Sequence, residues 1–412
     1  MVDMNNSENR LSLSDRINAV APSATLAVDQ KAKAMKAEGA DIIGFGAGEP
    51  DFPTPSYIVE AAAQACKEPK NHRYTPAQGL PELREAVAKK TKRDSGYEVD
   101  PQQVIITNGG KQAVYESVQL IINPGDEVII PTPYWVTYPE AVKLAGGVPV
   151  EAIAGIEQNF IPSIEQLEAL RTERTRAIFV NSPNNPTGAV WSDEQLETVA
   201  KWALEHDIWI ISDEIYEHLS YDGAKVGHIG GIVPEIRKQL IVLNGVAKTY
   251  SMTGWRVGWM IAPEYVIKAA VKLQGHMTSN VSNVSQRAAI EAVGGSLEAV
   301  AQMREAFDRR RNAIVSALNE IPGVKCLKPS GAFYAFADVS GLLNRPAGPK
   351  NQTFESSLQL AQALLEQAHV ACVPGEGFGV GGFLRFSYAL ADDDLDEGMR
   401  RFKSWVYSGE NL

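Results

Sequence analysis

The chain has 412 residues, with 39 Lys and Arg against 50 Asp and Glu and a net charge of -11. This length favours two or three domains and a core that needs no disulfide or metal for stability. The content of 44% hydrophobic and 22% charged residues is typical of a globular enzyme and excludes a disordered chain. The acidic balance argues against sequence-independent binding to nucleic-acid phosphate, so we expect no nucleic-acid partner.

The cysteines and the N-terminus indicate the compartment. Cys66, Cys326 and Cys372 lie far apart without a CxxC pair, so we predict reduced thiols and neither a disulfide nor a metal site. The first residues are polar and lack the apolar core of a secretory signal. No stretch approaches the roughly 18 apolar residues of a membrane span. We therefore expect a cytoplasmic protein that does not contact a membrane.

The first 300 residues show alternating strands and helices. After an arm of about 15 residues, an amphipathic helix is predicted over residues 81–92. The predicted strands are 104–107, 127–131, 177–181, 208–212, 240–245 and 256–262, and helices are predicted near 110–122, near 135–145 and from Ser192, where Gln195 completes a capping box. Continuous apolar strands alternating with helices indicate an α/β fold whose mainly parallel sheet is covered on both faces.

The pattern changes from about residue 300. A long charged helix leads into short strands at 333–338, 370–373 and 383–388, which predicts a smaller α+β domain. We therefore predict three parts: residues 1–50 as an N-terminal arm with part of the small domain, residues 51–300 as the large domain, and residues 301–412 as the small C-terminal domain.

A glycine pattern near the C-terminus is a false match. Residues 377–382, GFGVGG, have the spacing of a dinucleotide-binding loop. That loop must lie between a strand and a helix that begins directly after it, because the pyrophosphate binds at the helix N-terminus. The residues that follow here alternate as a strand, so we interpret this segment as an ordinary loop.

Glycines and polar residues follow several of the predicted strands. Gly109 and Gly110 stand between a strand and a helix, where backbone N–H groups could bind an anion, although a simple tight turn explains them equally well. The polar residues that follow later strands are Asn185, Asp213, Tyr216, Lys248 and Arg256. Because the carboxyl ends of parallel strands meet at one edge of the sheet, we predict that these residues share one ligand site.

Several segments in a fixed order then identify a family. They are FGAGEPDFPTP, YTPAQGLPELR, GGKQA, PYWVTYPE, NSPNNPTGAV, SDEIYE, SGAFYAF and FLRFSYA. The segment GVAKTYSMTGWRVG, which contains Lys248, resembles the lysine-attachment segment of class I pyridoxal-phosphate aminotransferases. From about Ser12 to Trp405 the chain resembles the bacterial aspartate aminotransferase subgroup. The resemblance implies the type I fold of pyridoxal-phosphate-dependent transferases, with residues 51–300 as the cofactor-binding domain.

The resemblance also implies which residues hold pyridoxal 5'-phosphate. Lys248 would bind the cofactor aldehyde as a Schiff base and shuttle the substrate proton, and Asp213 would keep the ring nitrogen protonated. The other implied contacts are Tyr216 and Asn185 at the phenolic oxygen, Trp135 stacked on the ring, Gly109, Gly110 and Arg256 at the phosphate, and Tyr74 from a second subunit. That last contact implies a homodimer with shared active sites.

Two further residues are implied to bind the substrate. Arg385 would hold the α-carboxylate near Gly48, since its planar fork fits a carboxylate bidentately. Lys111 would meet the side-chain carboxylate of an acidic substrate, with hydroxyls from Ser23 and Thr25, or it would instead neutralise the cofactor phosphate. Both roles of Lys111 stay open at this point.

Two positions depart from patterns that are found in relatives. Gly245 stands where many relatives carry serine, so one hydroxyl contact to the phosphate is lost and we predict weaker cofactor binding. Ala21 stands where relatives that use prephenate carry lysine, which makes prephenate a weaker option.

We therefore expect a ping-pong aminotransferase that acts on amino acid and 2-oxo acid substrates, L-aspartate or glutamate with 2-oxoglutarate or oxaloacetate. The alternatives are an aminotransferase that prefers alanine, aromatic amino acids or prephenate, and a β-lyase of the same fold. Lys248 and Asp213 are common to all of these enzymes and do not separate them. A ligand-sensing regulator would need a DNA-binding module, and no spare basic segment provides one.

Overall fold

The computed structural model describes residues 12–408, so residues 1–11 of the predicted N-terminal arm lie outside it. Its α-helices are α1 (Asp15–Asn18), α2 (Ala24–Ala37), α3 (Ser56–Ala65), α4 (Pro81–Ser95), α5 (Gly110–Ile121), α6 (Thr137–Leu144), α7 (Ile164–Leu170), α8 (Asp193–Glu205), α9 (Ile229–Ile232), α10 (Glu264–Met277), α11 (Asn283–Gly294), α12 (Glu298–Asn319), α13 (Ser357–Ala363) and α14 (Asp392–Tyr407). Within residues 12–408, no helix is both long enough and apolar enough to cross a membrane.

The strands form one large sheet and several small ones. They are β1 (Ile43–Gly44), β2 (Val104–Thr107), β3 (Glu127–Thr132), β4 (Val148–Ile153), β5 (Thr175–Asn181), β6 (Trp209–Asp213), β7 (Leu240–Gly245), β8 (Gly258–Ile261), β9 (Lys325–Cys326), β10 (Tyr334–Asp338), β11 (Pro346–Ala347), β12 (Gln352–Thr353), β13 (Val370–Ala371), β14 (Val373–Pro374) and β15 (Phe383–Ser387). The seven-stranded sheet has the order β2-β8-β7-β6-β5-β3-β4. Its strands pair in parallel, except that β8 runs antiparallel to β2 and β7. The predicted mainly parallel sheet is confirmed.

Helices cover both faces of this sheet. On β3, Ile129 packs into a cluster with α3, α4, α8 and α11, while Val128 and Ile130 pack into another with α5, α6 and α10. Alternate residues of one strand therefore enter two different cores, which explains why the strand is continuously apolar. The predicted capping box of α8 is present: the Gln195 N–H donates to Ser192 Oγ at 3.1 Å and the Ser192 N–H donates to Gln195 Oε1 at 2.9 Å.

The sequence patterns missed strand β4. It is an edge strand of the sheet, it pairs with β3, and its residues are mostly exposed or half-buried. The run VPVEAI contains a proline, which cannot donate a ladder hydrogen bond, and therefore gave only a weak strand signal.

The second sheet has the order β14-β15-β10-β9 and is antiparallel. It packs in one hydrophobic cluster with α12 and α14, and this cluster also contains Ile43 and Phe45. The strand predicted over residues 370–373 is two short strands, because β13 pairs with β1 while β14 pairs with β15. The shared cluster supports placing part of residues 1–50 with the C-terminal region, and the predicted domain boundaries stay a prediction.

The GFGVGG segment is not followed by a helix. A short 3-10 turn, Gly375–Phe378, precedes it in part, and strand β15 comes next. Our interpretation of this segment as a loop is therefore confirmed.

Candidate active site

A cavity of about 660 Å³ lies at the carboxyl ends of β5, β6 and β7, where β10 and β15 of the second sheet approach the large sheet. The predicted site residues that line it are Gly48, Gly110, Lys111, Trp135, Asn185, Asp213, Tyr216, Lys248, Arg256 and Arg385. Gly109 lies beneath Arg256 and not on the cavity wall, and Tyr74 lies elsewhere. The sheet edge thus brings residues together that are more than 300 positions apart in the chain.

Lys248 follows β7 and extends its amine into the cavity. Nζ donates to the carbonyl oxygen of Gly48 at 2.5 Å. Removal from water lowers the pKa of the amine to about 8, and the charges of Arg256 and Arg385 act in the same direction. A lysine with this pKa has a substantial neutral fraction near neutral pH, which a nucleophilic amine requires.

Asp213 is the last residue of β6 and is buried. Its Oδ2 accepts a hydrogen bond from the Tyr138 hydroxyl at 2.7 Å, and its Oδ1 accepts one from the Ile215 N–H at 3.2 Å. Burial raises the pKa of Asp213 to about 6. No cation lies within 4.0 Å of this carboxylate among residues 12–408, so the site has room for a positively charged partner.

Arg385 lies on β15 and is only 2% exposed. Nη1 donates to Asn185 Oδ1 at 3.0 Å and Nη2 donates to the Gly46 carbonyl at 2.8 Å. Nε is buried and has no hydrogen-bond partner among the described residues. Burial lowers the pKa of the guanidinium below its ordinary value. A buried cation held only by neutral oxygens favours an anionic ligand, since an unpaired buried charge is costly.

Tyr216 and Tyr334 meet at the wall of the cavity. Their hydroxyl groups are 2.8 Å apart, and the Arg385 guanidinium lies 4.5 Å from the centre of the Tyr334 ring. Burial, and then the neighbouring Tyr334, raises the pKa of Tyr216 well above its ordinary value. The Tyr216 hydroxyl is therefore neutral and able to donate a hydrogen bond.

Gly109 and Gly110 form the start of α5 under the Arg256 side chain. A Cβ atom at Gly109 would lie 2.5 Å from Arg256 Nη2, and Gly109 has φ +78°. Arg256 Nη2 donates to the Asn108 carbonyl at 3.2 Å and Nη1 to the Thr253 carbonyl at 2.8 Å. A guanidinium and a helix N-terminus therefore face one small space, which is an arrangement that binds phosphate.

Gly245 has a steric reason for the absence of a side chain. A Cβ atom there would lie 2.9 Å from the Val257 carbonyl oxygen and 3.0 Å from Gly258 Cα. The close approach of β7 and β8 therefore excludes serine at this position in the present backbone.

Trp135 and Lys111 form another part of the wall. Trp135 is half-buried, and the Lys111 ammonium lies 5.2 Å from the centre of its ring. Partial burial, and then the charge of Arg256, lowers the pKa of Lys111. Lys111 also lines a neighbouring cavity of about 570 Å³, so its amine stands where the two cavities adjoin.

Of the remaining predicted residues, Ser23, Thr25 and Tyr74, not all lie at the main cavity. Thr25 lines the main cavity, but Ser23 lines the neighbouring one, and the two hydroxyls are 2.9 Å apart. Tyr74 is 89% exposed and contributes nothing to the cavity of its own chain.

The sequence patterns missed Tyr138, Tyr334 and Asn244, which also line the cavity. Tyr138 lies in the same PYWVTYPE segment as Trp135, and this was the available signal. Asn244, inside the apolar strand β7, carried no comparable signal.

Comparisons with known proteins agree with this geometry. The profile of the family described as aminotransferase class I and II matches residues 40–402. The aspartate aminotransferase of Streptomyces avermitilis is 59% identical over 391 residues, which cover 95% of each chain. The aspartate aminotransferase of Bacillus subtilis is 47% identical, with 96% of this chain and 99% of the relative covered.

Solved structures match the fold as closely. The aspartate aminotransferase of Rhizobium meliloti superposes with a TM-score of 0.93 at 36% identity, covering 97% of this chain and 100% of that one. The Thermus thermophilus aspartate aminotransferase with maleate gives 0.89 at 42% identity, covering 96% and 100%.

Proposed function

Since this chain belongs to the class I and II aminotransferase family, we propose that it transfers the amino group between L-aspartate or L-glutamate and 2-oxoglutarate or oxaloacetate by a ping-pong mechanism. The observation that carries the proposal is the pair of cations, Arg385 and Lys111, which line the same cavity and have no carboxylate partner within 4.0 Å in residues 12–408. A dicarboxylic substrate has one anion for each of them. The names of the relatives support the same substrates.

The family depends on pyridoxal 5'-phosphate, and the residues of this cavity fit that group. Gly110 and Arg256 line the part of the cavity where a phosphate would lie, and a Cβ atom at Gly109 would collide with the Arg256 guanidinium. We assign Lys248 to the aldehyde, Asp213 to the ring nitrogen, Tyr216 and Asn185 to the phenolic oxygen, and Trp135 to the ring face. When bound, the cofactor supplies a carbonyl that links to amines and a ring that withdraws electrons from the substrate Cα.

Asp213 is proposed to hold a proton on the ring nitrogen. With a pKa of about 6 its carboxylate is ionised at neutral pH. Tyr138 donates to Oδ2 and the Ile215 N–H donates to Oδ1, so the carboxylate is held in place at the cavity wall. A buried anion that is held in place stabilises a positive charge on the nitrogen far more than water would.

Lys248 is proposed to bind the cofactor covalently and, when released, to move the proton at the substrate Cα. Burial keeps the pKa of its amine near 8, so the neutral form that accepts a proton is available. Its contact with Gly48 shows that the amine reaches across the cavity to the segment that borders Arg385 through Gly46.

Arg385 is proposed to orient the substrate by its α-carboxylate. Asn185 and Gly46 hold the guanidinium plane, and each terminal nitrogen has a second N–H for the ligand. Two parallel hydrogen bonds fix both position and direction, which places the Cα–H bond relative to Lys248.

The homodimer stays a proposal, supported by Tyr74. A tyrosine that is 89% exposed, within a segment that the family resemblance assigns to the cofactor phosphate, fits a contact across a subunit interface. The cytoplasmic location also stays a prediction.

The names of the relatives do not favour the alternatives of alanine, aromatic amino acids or β-elimination. Some relatives are named aspartate/prephenate aminotransferases, among them one from Thermus thermophilus at 44% identity. In this chain the prephenate-linked lysine position is Ala21.

A panel of amino donors with 2-oxoglutarate as acceptor tests the proposal. We expect glutamate to form fastest with aspartate, and no pyruvate or ammonia to be released from β-substituted substrates at a comparable rate. A faster reaction with alanine or phenylalanine would refute the acidic preference, and ammonia release without glutamate formation would indicate a lyase.

A further inference from the structure

A network of buried charges lies directly behind the two loops that carry the proposed cofactor residues. Lys90 of α4, only 4% exposed, contacts Glu217 Oε1 at 2.5 Å and Asp94 Oδ2 at 3.1 Å. Glu217 is also buried, and it follows Tyr216 in the chain. None of these three charged residues lines the cavity.

The same carboxylate oxygen joins the second loop. Asn244 Nδ2 donates to Glu217 Oε1 at 2.6 Å, while Asn244 Oδ1 accepts from the Gly245 N–H at 2.7 Å. Asn244 is at the end of β7, four positions before Lys248. A single oxygen of Glu217 thus connects residues 213–217 to residues 244–248.

The backbone does not make this connection. The β6–β7 pairing ends at Asp213 and Leu243, and its last hydrogen bond runs from the Glu214 N–H to the Leu243 carbonyl at 2.9 Å. Beyond that point residues 214–217 enter a loop, while Asn244 and Gly245 continue β7 and pair with β8 on its other side. The connection between these two segments therefore comes from side chains, and Glu217 with Asn244 supplies a short, charge-assisted hydrogen bond.

The network balances its own charge. His228 contacts Glu214 Oε2 through Nδ1 at 2.7 Å, and Asp94 contacts Arg93 and His218 besides Lys90. Burial alone would lower the pKa of His228, but the Glu214 carboxylate raises it to about 9, so the imidazole is charged at neutral pH. Glu217 can therefore stay ionised inside the protein.

We propose that the Lys90–Glu217 ion pair positions the cofactor residues, because the ionised Glu217 carboxylate accepts the Asn244 hydrogen bond and sets the separation of the two loops. Lys90 keeps this carboxylate charged and oriented. Asp213, Tyr216 and Lys248 are held in register with one another as a result. The inference rests on the proposed cofactor assignments and adds Lys90, Glu217 and Asn244 as positioning residues.

Two double variants separate positioning from mere stability. Lys90→Met with Glu217→Leu removes both charges and leaves Asp94 and Glu214 paired, and such apolar replacements of a buried ion pair are often tolerated. Lys90→Met with Glu217→Gln also removes both charges but keeps an oxygen that accepts from Asn244. We expect similar melting temperatures for the two apo-proteins.

Cofactor binding should differ between them. Pyridoxal phosphate is titrated into each apo-protein. Its affinity should fall about tenfold in the double variant with Glu217→Leu (the Leu variant). In the double variant with Glu217→Gln (the Gln variant) the affinity should stay within about threefold of wild type. The pH titration of the absorbance of the bound cofactor should shift in the Leu variant alone. Glu127→Gln is the matched control, because Glu127 is a buried, arginine-paired carboxylate at the opposite end of the sheet. It should change neither readout.

Wild-type affinity and an unshifted titration in the Leu variant would overturn the proposal, as would equal weakening in both double variants. If the Leu variant does not fold, Asn244→Ala keeps every buried charge paired and should weaken binding by a similar factor. Unchanged affinity in Asn244→Ala would overturn the proposal as well. Wild-type protein that binds the cofactor but does not use aspartate would refute the proposed donor and leave this inference standing.

Discussion

The cavity and the charge network lie on opposite sides of the same two loops, yet they handle buried charge differently. In the network, Lys90, Glu217 and Asp94 each lie within 4.0 Å of an opposite charge. In the cavity, Lys248 and Arg385 have no carboxylate within that distance in residues 12–408. The fold therefore supplies the counter-charges in the network, whereas in the cavity a ligand would have to supply them.

The cost of burial explains the difference. An uncompensated charge inside a protein costs several kcal/mol, so the fold keeps one only where another molecule supplies the counter-charge. Asp213, Lys248 and Arg385 all have shifted pKa values with burial as the first cause. Clusters of shifted groups without a counter-charge in a cleft mark functional sites, whereas the shifted groups of the network are paired with one another.

The largest expected effect comes from replacing one lysine in each region, Lys248 in the cavity and Lys90 in the network. Lys248→Ala should lower transamination by at least about 10⁴-fold with little change in melting temperature, because the amine performs the proton transfer and forms no ion pair within residues 12–408. Lys90→Ala should instead lower the stability by about 3–5 kcal/mol, since Glu217 loses its counter-charge. Steady-state kinetics and thermal unfolding measure the two outcomes. Residual activity above a trace in Lys248→Ala would contradict the assignment.

The arginines give the next test. Arg385→Lys should lower kcat/KM for every amino acid by roughly 10²-fold, because an ammonium does not reproduce the bidentate contact with a carboxylate. Arg311 is as deeply buried, at 1% exposed, but is paired with Asp308 and Asp222. Arg311→Lys should lower the melting temperature and leave KM unchanged. Similar kinetic losses in both variants would abolish the distinction between paired and unpaired cations.

The two possible roles of Lys111 give a test within the cavity itself. If it meets the side-chain carboxylate, Lys111→Ala should cost aspartate and glutamate about 1.5–3 kcal/mol in kcat/KM, while alanine and aromatic donors stay nearly unaffected. Equal losses for all donors, together with weaker retention of pyridoxal phosphate, would assign Lys111 to the cofactor phosphate. The donor panel measured on this variant decides between the two roles.

The smallest effect is a pH dependence of the apo-protein. The folded-state pKa of Asp213 is raised to about 6, so the folded protein binds more protons than the unfolded chain between the two values. Stability from this group is therefore lost as the pH rises, by about 1.3 kcal/mol from about pH 5 to about pH 7. Asp213→Asn should remove that component from denaturant unfolding curves. An unchanged pH dependence in Asp213→Asn would assign the proton to another group.

Part of this molecule could be predicted from local sequence. The run LIVLNG is strand β7 with the predicted bounds, and Ser192 and Gln195 form the predicted capping box. Both are decided within a few residues, by apolar continuity in one case and by side-chain reach in the other. The family motifs likewise predicted ten residues that the structure gathers around one cavity.

Tertiary structure decided the rest, because the relevant contacts join distant parts of the chain. Tyr138 meets Asp213 across 75 positions, and Lys90 meets Glu217 across 127. A tyrosine in a helix and a lysine on an amphipathic helix have no local pattern that names their partners. The sequence by itself determined six of the seven strands of the large sheet and which residues stand at its carboxyl edge. Only packing decided which charges find partners inside the protein and which stay free for a ligand, since the free energy of a buried charge depends on its neighbours in space.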